Sequence, residues 1–168
     1  MLITNLFPNP KPASNLPISN RTRVVASFPG TGLLLTQTSG VSTGNGAFVQ
    51  IPLSALTPGV TYHVEADMIP SGSVKPPTLL GRMMLMVANR SGMSPVSGDN
   101  TVGAGRRACA FTADGTTSYD LVLFAGDGGG DTSMSVLWSD ILIMTDADWR
   151  AMRTLGLTGF AGDTMPLD

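Results

Sequence analysis

Between Thr61 and Met68 the chain alternates without a break: Tyr62, Val64, Ala66 and Met68 point one way, and Thr61, His63, Glu65 and Asp67 point the other. Side chains of a β-strand alternate with a period of two, so this stretch dictates a strand with one core face and one polar face. Further strands are expected at residues 2–7, 22–28, 32–38, 47–53, 81–88, 106–113 and 118–125. Pro29-Gly30-Thr31-Gly32 is a strong turn signal that makes a hairpin of the second and third of these, and Asp114-Gly115-Thr116 joins the last two in the same way. Residues 89–105, rich in Gly, Ser and Pro, read as a long loop able to act as a contact arm.

The closing stretch from Ser133 to Met144 carries the strand formers Val136, Trp138, Ile141 and Ile143. Its alternation slips at Ser139-Asp140, which predicts a bulge or a change of face there. A helix follows at once. Thr145 can cap it, Asp146 and Asp148 suit its positive end, and Gly156 can stop it. Trp149, Met152 and Leu155 form an apolar stripe with Ala147 and Ala151 beside it, while Arg150 and Arg153 are expected to face away. About three turns of helix are marginal alone, so the stripe must dock. Eight or nine short strands and one terminal helix describe an all-β chain: an antiparallel sandwich over residues 1–145, then an amphipathic helix and tail over 146–168.

Composition narrows the partners. With a formal net charge of -2 and only 13% charged residues there is no basic stripe, which excludes binding driven by a phosphate backbone. No apolar run reaches the roughly 18 residues of a membrane-spanning helix. The start of the chain has no export signal, so synthesis in the cytoplasm is expected. So little charge, with 20 glycines and 12 prolines, suggests a surface partly covered by a partner, and hence a homo-oligomer such as a trimer. Met84 and Met86 lie on one face of strand 81–88, and Met83, Leu85 and Val87 on the other. Such a strand is buried on both sides, under a second layer or against a neighbouring subunit. Met83, Met84, Leu85, Met86, Trp149, Met152 and Leu155 are therefore the interface candidates.

Candidate chemistry is sparse. His63, Glu65 and Asp67 share one strand face and could surround a cation, although a solvated polar face has the same pattern. A hydrolase needs a paired acid and base, or a nucleophile with a base in reach. The one histidine, His63, stands with no Gly-x-Ser-x-Gly elbow, and nothing local unites Glu65 with Asp120, so no catalytic residue is assigned. Cys109, within Ala108-Cys109-Ala110-Phe111, reads as a core thiol. Sugar binding calls for exposed aromatic rings, yet Trp138 and Tyr62 face inward by alternation and Trp149 belongs to the helix stripe.

Four segments carry a family resemblance. Trp138-Ser139-Asp140 before the apolar run 141–144 resembles the last strand of carbohydrate-binding-module-like jelly rolls. Leu56-Thr57-Pro58-Gly59 with Thr61-Tyr62 resembles a recurrent loop of the same folds. Asn5-Leu6-Phe7-Pro8-Asn9-Pro10 resembles the opening of bacteriophage virion proteins bearing such a module. The tail Leu157-Thr158-Gly159-Phe160-Ala161-Gly162-Asp163-Thr164 is similar to one found in minor tail proteins of phages infecting actinobacteria, with Ala161 where those carry aspartate. The resemblance implies a jelly roll and a non-catalytic structural protein of the virion. It would be a minor tail component or a capsid decoration protein, with the tail or major capsid proteins as partners. A module binding host cell-wall glycan during adsorption is the other implied role. The only cofactor it implies is a structural calcium at Asp140.

Overall fold

The structure, a computed structural model, describes residues 2–7, 12, 16–38, 44, 46–54, 56–129, 133–158 and 164–166. Its strands are β1 (Leu2–Thr4), β2 (Asn20–Thr22), β3 (Val24–Ser27), β4 (Leu33–Gln37), β5 (Ala47–Pro52) and β6 (Thr61–Pro70). They continue as β7 (Leu85–Asn89), β8 (Ser94–Asp99), β9 (Gly105–Thr112), β10 (Tyr119–Gly126) and β11 (Ser135–Thr145). Helix α1 (Asp146–Thr154) and β12 (Thr164–Pro166) complete the order. Two five-stranded antiparallel sheets face each other, sheet I in the order β2-β5-β10-β7-β8 and sheet II in the order β3-β4-β11-β6-β9. The fold is an antiparallel jelly-roll β-sandwich with one short C-terminal helix. Outside it, β1 pairs with β12.

The core follows the expected alternation. Tyr62, Val64, Ala66 and Met68 of β6 and Val136, Trp138, Ile141 and Ile143 of β11 are buried against Leu121 and Leu123 of β10. Aromatic contacts from Tyr62 to Phe111 and from Phe111 to Tyr119 link the sheets and show that Tyr119 faces inward. Its neighbour Asp120 therefore faces out. The expected slip is a true bulge: the β11–β6 register shifts between Ser139 and Leu142, and Asp140 takes a positive φ of 49°.

Three expectations are corrected. Residues 22–28 are not one strand, because Arg23, at φ 55°, passes the chain from β2 in sheet I to β3 in sheet II. Strands β9 and β10 do not form a hairpin. They lie in opposite sheets, and the Asp114 carboxylate accepts from the N–H groups of Thr116 and Thr117 to fold the crossing. The loop at 89–105 contains β8, an edge strand whose ladder with β7 needs no apolar alternation. The hairpin of β3 with β4 forms as read.

Methionines 84 and 86 and Leu85 are fully buried inside this chain. The chain after β6 leaves sheet II at Ser71 and crosses onto the outer face of sheet I, where Pro77 lies by Gly46 and Phe124 and the Met83 sulfur by Gly98, with Val74 buried and Leu80 and Met83 packed on the core. The second layer over strand 85–89 is the chain's own loop, so Met84, Leu85 and Met86 leave no surface for a neighbouring subunit.

Candidate functional site

The polar stripe of β6 is drawn together as the seat of α1. Thr145 caps the helix by accepting from Asp148 N–H, and Gly156 ends it at φ 70°. Met152 then drops into a small cluster with Ile3, Leu142 and Met144 on the outer face of sheet II. Trp149 lies flat on His63, with ring centroids 4.2 Å apart and planes 5° from parallel. Its indole Nε1 donates to Glu65 Oε1 at 2.6 Å. Arg153 Nη2 donates to both Glu65 oxygens at 2.8 and 2.9 Å, and Arg106 Nε to Oε2 at 3.0 Å.

Glu65 is therefore 3% exposed and fully engaged. Burial alone would raise its pKa, but the donors Trp149, Arg153 and Arg106 outweigh burial and hold it below 4.5. Arg153, expected to face away, is one of those donors. Leu155, expected in the docked stripe, is 49% exposed because the helix has ended by that point. His63 Nε2 is taken by Asp146 Oδ1 at 2.8 Å, and Asp146 also accepts from Arg150. Of the stripe, His63 and Glu65 thus hold the helix, while Asp67 pairs with Arg106 Nη1 of β9 at 3.2 Å. Among the described residues no group of three or more His, Cys, Asp or Glu is arranged to hold a metal ion.

At Asp140, the residue proposed from sequence for a structural calcium, the backbone carbonyl accepts from Arg106 Nη1 at 2.9 Å. Glu65 and Asp120 lie on opposite outer faces of the sandwich, too far apart to act as an acid and base pair. Burial pushes the Cys109 thiol up to about 11, so it is a poor nucleophile near neutral pH. None of the described helices is long and apolar enough to cross a membrane.

The outer face of sheet I carries a second constellation, which local reading missed. Asp120 is fully buried on the central strand β10 and accepts from Arg90 Nε at 2.7 Å and from Gln50 Nε2 at 3.1 Å. Gln50 Oε1 in turn accepts from Asn20 Nδ2 at 2.7 Å. Arg90 Nη2 also donates to Tyr119 O, which fixes the guanidinium plane. The result is a row of planar polar groups across the face, buried in its middle and open at both ends: Asn20 is exposed and the Arg90 side chain is 41% exposed. One signal was available, since Asp120 is a carboxylate inside the apolar run Tyr119-Asp120-Leu121-Val122-Leu123-Phe124. Its partners come from three distant segments.

Such a row suits a ligand dense in hydroxyls, each both donor and acceptor. Solved structures that resemble this chain include carbohydrate-binding modules. One is the apo CBM1 module of BiXyn10A, 10% identical, with a TM-score of 0.54 over 82% of this chain and 94% of that one. Another is the second N-terminal cellulose-binding domain of Cellulomonas fimi β-1,4-glucanase C, 16% identical, with a TM-score of 0.54 over 84% and 94%. A third is a mutant of the family 29 carbohydrate-binding module CBM29-2 complexed with mannohexaose, 14% identical, with a TM-score of 0.52 over 86% and 91%. At these identities the likeness is one of fold. No family model and no curated protein matches the sequence.

Proposed function

We propose that this chain is a non-catalytic carbohydrate-binding module whose ligand lies across the outer face of sheet I. The observation that carries the reading is the Asn20–Gln50–Asp120–Arg90 row. Gln50 and Asp120 fix the two end groups in place, so a polysaccharide meets an amide and a guanidinium already oriented for its hydroxyls. Preorganisation of this kind lowers the entropy lost on binding. The likeness to carbohydrate-binding modules supports the same reading.

Titration calorimetry with cellohexaose and with mannohexaose tests it. Binding to one of them, weakened about tenfold or more in Arg90→Ala as expected for a lost charged hydrogen bond, supports the assignment. Binding unchanged in both Arg90→Ala and Asn20→Ala would move the site elsewhere.

The setting we propose for the module is a phage virion, as a minor tail component or, in the alternative, a capsid decoration protein. The two end segments that carry the virion resemblance flank β1 and β12, which pair with each other, although Pro8 to Pro10 and Gly159 to Asp163 lie outside the described residues. Asn5, the first residue of the opening motif, clasps the β11 bulge. Its Oδ1 accepts from Ile143 N and Phe7 N, and its Nδ2 donates to Ile141 O. A glycan-binding module on a tail would serve adsorption to a host cell wall. Immunogold labelling of intact virions, counted separately on heads and tails, separates the two locations.

A further inference from the structure

We infer that residues 71–83 form a strap over a concealed aromatic platform, Phe48 and Phe124, and that lifting the strap completes the groove by giving a sugar ring a surface on which to stack. The inference rests on the carbohydrate reading of sheet I and extends the polar row into its covered half.

Phe48 of β5 and Phe124 of β10 are paired in register on the outer face, with ring centroids 5.3 Å apart. Phe48 is two residues from Gln50 on the same face, about 7 Å along the strand. Platform and polar row are thus contiguous. Aromatic rings take the apolar face of a sugar while neighbouring amides and guanidinium groups take its hydroxyls, and among the described residues no Phe, Tyr or Trp is exposed.

The strap is seated where strands carry glycine. A side chain on Gly46 would run into Pro77 and Phe124, one on Gly126 would meet Lys75 O, and one on Gly98 would occupy the space of the Met83 sulfur. Few strap residues are covered: Val74 and Pro77 are buried and Pro76, Leu80 and Met83 half-buried, whereas Ser73, Lys75, Thr78 and Arg82 are exposed. Leu79, at the crest, is 66% exposed, and its N–H donates to Gly44 O. At the far end Gly81 and Arg82 take consecutive positive φ values of 67° and 59°. A left-handed arginine is an unfavourable conformation held by its surroundings, and a hinge that moves would relieve it. At the near end Ser71 is anchored to β11 by its N–H to Ser135 O, and its Oγ accepts from Ser135 N. The segment between is extended by Pro76 and Pro77 and carries no regular structure. Few apolar anchors, strain at one end and a fixed post at the other describe an element that opens locally, without global unfolding.

Oxidation of the native protein by hydrogen peroxide, mapped residue by residue, tests the strap without any ligand. Met86 lies beneath it, and Met68, equally buried between the sheets, is the internal reference. We expect Met86 to oxidise at least about tenfold faster than Met68, as local opening exceeds global opening. Equal rates would show that both open only by unfolding and would overturn the strap. The same measurement with cellohexaose or mannohexaose at saturation should protect Met86, and Phe48→Ala should abolish that protection. Fast Met86 oxidation with neither sugar protecting or binding would overturn the platform's assignment to carbohydrate. Sugar binding with equal methionine rates would keep the carbohydrate reading and remove the strap. Because Phe48→Ala risks the fold, a strap-loosening variant, Pro77→Gly, serves as the second probe. It should raise the Met86 rate and leave the Met68 rate unchanged, and a rise in both or in neither contradicts the inference.

Discussion

Replacing Trp149 by phenylalanine isolates the hydrogen bond that ties α1 to the sandwich. A phenyl ring can still lie on His63, but the N–H that meets Glu65 Oε1 at 2.6 Å is gone. A hydrogen bond to a charged, buried group contributes about 1.5–3 kcal/mol. Glu65 keeps Arg153 and Arg106, so its carboxylate is not left bare, and the expected loss sits at the lower end, about 1.5–2 kcal/mol. Urea denaturation followed by fluorescence is well suited to the measurement, because Trp149→Phe leaves the buried Trp138 as the remaining indole. In a double-mutant cycle with Glu65→Gln, part of the effect should vanish, giving a coupling of about 1 kcal/mol. A Trp149→Phe protein within about 0.5 kcal/mol of wild type, the range of an inert surface change, would refute the docking account.

The Glu65 pKa is lowered in the folded protein, so its contribution is complete above the unfolded value of 4.5 and is lost as pH falls through the lower folded value. Stability measured against pH should therefore fall more steeply below 4.5 in wild type than in Glu65→Gln, and parallel curves would contradict this. Asn5→Ala removes three hydrogen bonds at the β11 bulge and leaves buried backbone groups unpartnered. A loss of about 3 kcal/mol is expected, or roughly 6–12 °C in Tm by circular dichroism, and a shift under about 2 °C would show that the bulge holds itself.

What was legible in the sequence was local. The β6 alternation, the bulge at Ser139-Asp140, the Pro29-Gly30 turn and the Thr145 cap each depend on residues a few positions apart, and each is found as read. Sheet membership is not local. Arg23 splits what reads as one strand because its partners, β5 and β4, belong to different sheets. The turn at Asp114 reads as a hairpin because an Asx turn looks the same whether the chain doubles back or crosses over. The double-sided apolar pattern at 81–88 correctly signalled burial on both faces. It could not say that the cover is residues 71–83, whose own pattern is that of a loop. Glu65 looked solvated because its neutralising arginines lie 41 and 88 positions away. The Asn20–Gln50–Asp120–Arg90 row joins four segments, and only Asp120 amid apolar neighbours hinted at it.

The central claim is that the outer face of sheet I binds carbohydrate through that row. Affinity electrophoresis of wild type and Arg90→Ala through gels containing cellulose derivatives, mannan, β-1,3-glucan or host cell-wall polysaccharide tests it most directly. The account predicts that at least one polymer retards the wild type and that Arg90→Ala runs ahead of it. Equal, unretarded migration of both proteins in every gel would contradict it.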